Sequence, residues 1–121
     1  MENQGKNAIK WINKLLKTRF KQGRGKLGNK KDGFCCLGLG CHILDIDYDL
    51  HDGCSVEFSE SVGLLDKEGY PSYNDDLECL INLNDDCNSS FRDIGKILIE
   101  NPFNYFNTKV AEEVNNYFNK N

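Results

Sequence analysis

The segment from Arg19 to Lys26 is the part of the chain whose residue types best suit chemistry on an anion. Its cations are Arg19, Lys21, Arg24 and Lys26, and glycines flank Arg24 on both sides. Glycine allows backbone N–H groups to turn toward an anion, and neighbouring cations supply the charge that a phosphate needs. The spacing G-x-x-x-x-G-K-[ST] is absent, so the segment is not a Walker loop. The alternative interpretation is a solvated surface loop, because basic loops with glycine are common.

The cysteines and histidines are the next candidates, for metal binding or nucleophilic catalysis. Adjacent Cys35 and Cys36 would point to different sides of a helix, unlike the paired knuckles of structural zinc sites. Only two histidines are present, and His42 lies inside an apolar run, which disfavours a Cys/His catalytic pair. We therefore expect reduced thiols, no catalytic residue, no metal and no cofactor, with an enzyme as the less favoured class.

Charge is divided unevenly along the chain. Residues 1 to 31 hold ten of the 15 basic residues and one of the 19 acidic residues, so this quarter carries +9 and the remainder −13. Two interpretations are equally open: a positive surface that captures anions, or an N-terminal helix that docks on an acidic body.

The elements that would position these residues are mostly helices. Apolar residues at helical spacing predict an amphipathic helix over residues 5 to 18, with lysines on its outer face. The apolar run from 34 to 44 predicts a central, buried helix, and shorter helices are expected near 59 to 65, 77 to 84, 91 to 101 and from 108 onward. Leu27 and Phe34 are expected to face each other in a short hairpin or irregular loop, and alternation around Asp52-Gly53 predicts a second hairpin.

The length and hydropathy of the chain limit its class. A chain of 121 residues fits one domain, so we expect a single domain over 1–121 that is mainly α (α+β), with about five helices and one or two short β-hairpins. No apolar run approaches the ~20 residues that span a bilayer, and no signal-peptide core is present. We expect a cytoplasmic protein with no membrane partner.

Several short motifs resemble those of a family of small uncharacterised bacteriophage and prophage proteins. That family has an aromatic-x-Q-G-x-G-x-L loop, a C-C-L-G-V run and an L-N-D...S-F-x-x-I-A segment. The matching residues here are Trp11, FKQGRGKL at 20–27, FCCLGL at 34–39, LND at 83–85 and SFRDI at 90–94. Leu39 and Gly95 depart mildly from the pattern, a tryptophan expected before residue 62 is missing, and the C-terminal helix lies outside the resemblance.

The resemblance implies a phage protein acting in the cytoplasm of an infected bacterium. We expect a homo-oligomeric counter-defence protein that sequesters an anionic nucleotide signal, of the cyclic oligonucleotide or cyclic ADP-ribose type, without cleaving it. Cations would meet phosphates, Phe20 or Phe34 would stack on a base, and Asn84 with Asp85 would read polar edges. The alternative is an interaction protein that binds nucleic acid or a host protein through its basic N-terminal helix and loop. The predicted ligand-binding residues are Arg19, Phe20, Lys21, Gln22, Arg24, Lys26, Phe34, Asn84 and Asp85.

Overall fold

The chain folds mainly into helices, which confirms the predicted class. A computed structural model describes residues 3–23, 28–29, 33–46, 56–72, 76–85 and 89–119. These residues contain seven helices, two more than the approximate number predicted, and one small two-stranded sheet. The elements in chain order are α1 (Gln4–Lys17), β1 (Gly28–Asn29), β2 (Gly33–Phe34), α2 (Cys36–Ile43), α3 (Val56–Val62), α4 (Leu80–Asp85), α5 (Phe91–Glu100), α6 (Pro102–Tyr105) and α7 (Thr108–Phe118).

Helix α1 is the element around which the others pack, since it contacts α2, α3, α5 and α7. Its apolar residues recur at helical spacing, and this face is buried in the core. Trp11 is fully buried, its Nε1 donates to the carbonyl oxygen of Cys36 (2.9 Å), and its ring meets Phe58 edge to face at 5.0 Å. Because the inner face is fixed by the core, the lysines of α1 remain on the outer face, as predicted.

The apolar run forms α2, whose residues 36 to 41 are all buried. Cys35 precedes the helix, and its Sγ accepts a hydrogen bond from the N–H of Gly38 (3.3 Å). A Cβ on Gly40 would lie 2.3 Å from the Phe58 ring. Glycine at this position therefore permits the close approach of α3 to α2.

Of the predicted short hairpin or irregular loop before Phe34, the structure has a hairpin, in which β1 and β2 pair antiparallel. Gly28 is the residue opposite Phe34, and the predicted partner Leu27 lies outside the described residues. Phe34 also bonds the preceding loop, since its N–H donates to the Lys21 carbonyl (2.9 Å) and its carbonyl accepts from the Gly23 N–H (2.7 Å). Gly33 makes this possible with a φ of 95°, a conformation that favours glycine. The second predicted hairpin, around Asp52-Gly53, lies outside the described residues.

Side-chain caps mark the first turns of the C-terminal helices α5 and α7. Ser90 and Asp93 form a capping box at the start of α5, and Asn107 caps α7 through its side-chain oxygen. Helix α5 ends near residue 101, as predicted, and Pro102 then opens the short helix α6, which was not predicted from the sequence. A proline at the first position of a helix has no need of the N–H that it lacks.

Candidate functional site

Asn84, one of the predicted ligand-binding residues, lies in a buried polar junction at the end of α4. Its side chain is 0% exposed. Its Oδ1 accepts from Gln22 Nε2 (2.8 Å) and from the backbone N–H of Cys36 (3.1 Å), while its Nδ2 donates to the Gly23 carbonyl (2.8 Å). One amide thus joins the loop after α1 to the first turn of α2.

Gln22 completes this junction from the loop side. Its Oε1 accepts from the backbone N–H of Phe91 (3.0 Å), and its Nε2 also donates to the Ser89 carbonyl (2.8 Å). Cys36 and Phe91 are the first residues of α2 and α5, where backbone N–H groups have no partner within the helix. The two side-chain amides therefore cap two helices at once. We use the name amide junction for these two amides together with the backbone groups that they bind.

The amide junction brings the predicted Gln22 and Asn84 together, so the expected proximity of the loop and α4 is present. The bonds of both amides run to the protein itself, and a role in ligand binding stays a prediction. Asp85 is the last residue of α4, and its side chain lies outside the described part of the structure. Arg24 and Lys26 also lie outside the described residues.

The two candidate stacking residues belong to one aromatic cluster with His42. The Phe34 ring stacks on His42 at 5.0 Å and meets Phe20 at 5.6 Å and a steep angle, while Phe20 and His42 are 5.3 Å apart. Phe34 is 1% exposed, so its ring faces the core and offers no surface to a base. Phe20 is half-buried, and Lys14 Nζ lies 5.4 Å from its ring centroid. Of the pair, Phe20 is the one at the surface.

Beside Phe20, the outer face of α1 borders two adjoining open pockets, which we call the α1 groove. The first has a volume of about 510 Å³ and the second about 440 Å³. Lys14 and Lys17 line both. The first pocket is lined by Lys14, Lys17, Thr18, Arg19 and Phe20, and the second by Lys10, Asn13, Lys14, Lys17 and Ile43.

The α1 groove is positively charged. Lys10, Lys17 and Arg19 are exposed and Lys14 is half-buried, and the described residues that line the groove include no carboxylate. Phe20 and Ile43 add apolar surface between the cations. Lys21 is exposed but is not among the described lining residues. The arrangement can hold phosphate groups through ammonium and guanidinium donors and pack a flat, apolar group against Phe20.

Sequence reasoning placed Arg19 and Phe20 at the nucleotide site and gave the lysines of α1 a binding role only in the alternative, contact with nucleic acid or a host protein through the basic helix. A signal was available in the sequence. Lys10, Lys14 and Lys17 stand at i, i+4 and i+7, which puts them on one side of α1, and the helix ends directly before Arg19-Phe20. What the sequence could not show was that the end of α2 lies beside this face and adds Ile43.

The cysteines of the described region are buried, at Cys35, Cys36, Cys41 and Cys79. Burial raises the pKa of the Cys79 thiol, which keeps it protonated and weakly nucleophilic at neutral pH. Within the described ranges no group of three His, Cys, Asp or Glu side chains is arranged to hold a metal ion. His51, Cys54 and Cys87 lie outside those ranges.

Comparisons with protein-family profiles, curated proteins and solved structures return no match for this chain. Of the helices that the structure describes, none combines the length and the apolar character needed to cross a bilayer.

Proposed function

We propose that this chain binds a small anionic nucleotide in the α1 groove and sequesters it without cleaving it. The observation that supports the proposal is the grouping of Lys14, Lys17 and Arg19 beside the half-buried Phe20 in one surface pocket. A phosphate would be held by the cations, and a base would stack on Phe20. Stacking of a base on an aromatic side chain contributes about 1 to 3 kcal/mol.

The charge distribution favours such a ligand. The chain as a whole carries −4, yet the groove is formed largely by the +9 quarter of the sequence. A concentrated positive surface raises the local concentration of anions and their rate of association. A neutral ligand would gain nothing from the cations, whereas a nucleotide uses both the cations and the aromatic ring.

Sequestration is favoured over turnover by the types of residue in the groove. The described lining residues provide cations, one amide, one hydroxyl and apolar surface, with no carboxylate or imidazole positioned to transfer a proton. Stoichiometric binding requires only affinity. The resemblance to bacteriophage proteins supports a counter-defence role, in which a homo-oligomer would remove a cyclic oligonucleotide or a cyclic ADP-ribose type signal of bacterial immunity in the infected cell's cytoplasm.

Calorimetric titration with a panel of such nucleotides tests the proposal. A ligand at 100 times its Kd should also stabilise the wild type by about 2.7 kcal/mol in thermal unfolding. Lys14→Glu should weaken binding by about tenfold or more, because it removes a charge-assisted contact and adds repulsion. Chromatography after incubation should recover the nucleotide intact.

Lys96→Glu is the matched control, since it makes the same charge change at an exposed helical position on α5. Its affinity should equal that of the wild type. Equal weakening by both variants would assign the effect to net charge and count against the groove, while a cleaved product would make the protein an enzyme.

The openness of the α1 groove favours a second candidate function, the binding of nucleic acid along α1. Lys6 extends the row of Lys10 and Lys14 toward the start of the helix, and it is exposed. Nucleic-acid affinity falls steeply with salt, because each neutralised phosphate releases counterions. A strong decrease in affinity for a 20-nucleotide strand between 50 and 200 mM salt, together with no affinity for small nucleotides, would favour this alternative.

A further inference from the structure

The α1 groove is double, and its two halves are chemically different. Each half has a cation of its own at its outer end, Arg19 in the first and Lys10 in the second, while Lys14 and Lys17 lie between them. Each half also has its own apolar surface, the aromatic Phe20 in one and the aliphatic Ile43 in the other. A ligand with two parts, one beside Phe20 and one beside Ile43, would fill both halves of the groove.

The volumes agree with two nucleotide units. Pockets for small molecules commonly measure about 300 to 1,000 Å³. The two halves, at about 510 and 440 Å³, each fall within that range. A mononucleotide would occupy one half and leave the other to water.

The rise of α1 indicates how far apart the negative charges should lie, because it sets the spacing of the backbone positions from which the lysines extend. An α-helix rises 1.5 Å per residue, so Lys10 and Lys17 are separated by about 10 Å along α1, and Lys10 and Lys14 by about 6 Å. Two phosphates joined through a single bridging oxygen, as in a pyrophosphate, are too close to use both ends of this row. Two phosphates with a sugar between them can contact both ends.

We infer that the ligand of the α1 groove carries two separated phosphate groups, as a cyclic dinucleotide or a linear dinucleotide with a 5′-phosphate does and a pyrophosphate-linked nucleotide does not. The inference rests on the proposed function and sharpens it, because it selects the cyclic oligonucleotide class over the cyclic ADP-ribose class. One base stacks on Phe20. The second unit packs on Ile43, where the side-chain amide of Asn13 can bind its polar edge.

Four probes test the inference by calorimetry at 0.15 M salt: AMP, ADP-ribose, the linear dinucleotide pApA and cyclic di-AMP. At least one of the two dinucleotides should bind about tenfold or more tightly than AMP and ADP-ribose, since a second charge-assisted contact has an effect of that order. ADP-ribose binding as tightly as both dinucleotides would overturn the inference.

A substitution of Lys10, the cation at the outer end of the second pocket, tests whether the second phosphate is bound there. Lys10→Gln should lower dinucleotide affinity by about tenfold while changing AMP affinity by less than about twofold. The reason is that an AMP phosphate held by Lys17 and Arg19, with the base on Phe20, lies more than a Debye length from Lys10 and is screened from its charge at this salt. Lys6→Gln is the control, on the same face of α1 but not among the described lining residues, and it should leave both affinities unchanged. Circular dichroism and melting curves confirm that the variants fold.

The outcomes separate the two proposals. If Lys14→Glu abolishes binding but Lys10→Gln weakens AMP and dinucleotides equally, the two-phosphate inference fails and nucleotide binding stands. If none of the four probes binds, the inference fails together with the proposed nucleotide site.

Discussion

The amide junction and the α1 groove use neighbouring residues of one short loop for opposite purposes. Arg19 and Phe20 face the groove, whereas Gln22 and Gly23, two and three residues later, face the junction. The junction buries neutral amides and satisfies them, and across the described residues no buried side-chain nitrogen or oxygen lacks a hydrogen-bond partner. The groove keeps charged groups at the surface, where water solvates them. Adjacent residues of one motif therefore need not belong to one site.

The largest effect that follows from this contrast is expected for Asn84→Ala. The substitution removes the side chain that binds the buried Cys36 N–H and the part-buried Gly23 carbonyl. Each unsatisfied group costs about 1 to 3 kcal/mol, so the free energy of unfolding should fall by about 3 kcal/mol or more in urea denaturation. That is a large share of the ~5 to 15 kcal/mol typical of a whole domain.

Asn82→Ala provides the control, because it removes the same residue type from the same helix. The Asn82 side chain donates to Glu78 Oε1 at the surface, so its loss should cost less than about 1 kcal/mol. Similar losses for both variants would mean that the junction adds no more than an exposed hydrogen bond.

A smaller effect, about 2 kcal/mol, is expected for Gln22→Ala. The side chain is half-buried, so water can replace part of what the substitution removes from Phe91 and Ser89. Because Gln22 bonds Asn84 directly, the double variant with Asn84→Ala should lose at least about 0.5 kcal/mol less than the sum of the single variants. Strict additivity in the same denaturation experiment would show that the two amides do not act as a unit.

Much of the fold was accessible from the sequence. Helix α1 and the buried run at α2 have unambiguous hydrophobic patterns, and the Ser90 capping box marks the start of α5 through local chemistry alone. Helix α6 was not predicted because a proline such as Pro102 occurs both after the end of a helix and as the first residue of a new one. Local patterns cannot distinguish the two, since the distinction depends on how the chain packs after the turn.

The candidate site was only partly accessible. The sequence grouped Gln22 with Asn84, and the structure places them 2.8 Å apart, but residue types alone do not reveal whether an amide binds a ligand or caps a helix. Phe34 illustrates the same limit, since an aromatic residue beside a basic loop could equally face solvent or core, and here it is 1% exposed. Tertiary packing decides such cases.

Tyr105 is another buried polar residue. Unlike the amides of the junction, its side chain titrates. It is 1% exposed, its hydroxyl donates to the Glu78 carbonyl (2.6 Å), and burial raises its pKa to about 12. The unfolded chain loses this proton near pH 10, so the stabilisation is complete below pH 10 and is lost as pH rises toward 12. The free energy of unfolding should fall by about 1.4 kcal/mol per pH unit in that window.

Tyr105→Phe should reduce the alkaline slope while lowering stability at pH 8, because it removes both the titrating group and its hydrogen bond. The raised pKa of the Cys79 thiol acts in the same direction, so a residual slope is expected in the variant. Urea denaturation at pH 8, 10 and 11 measures both terms. An unchanged slope in Tyr105→Phe would assign the alkaline loss to other groups.

The smallest effect on stability is expected for Lys14→Gln, although this residue lines both halves of the groove. Lys14 lies in the last turn of α1, where a cation offsets the partial negative charge of the helix end by about 0.3 to 1 kcal/mol. Its contact with the Phe20 ring adds a similar amount. Against this, Lys10 at i−4 and Lys17 at i+3 repel it, at about 0.2 to 0.5 kcal/mol each. These opposing terms leave a net change of about 0.5 kcal/mol or less in urea denaturation, while nucleotide affinity falls by about tenfold. A loss of stability as large as that of Gln22→Ala would make Lys14 a structural residue and would remove the distinction between groove and junction.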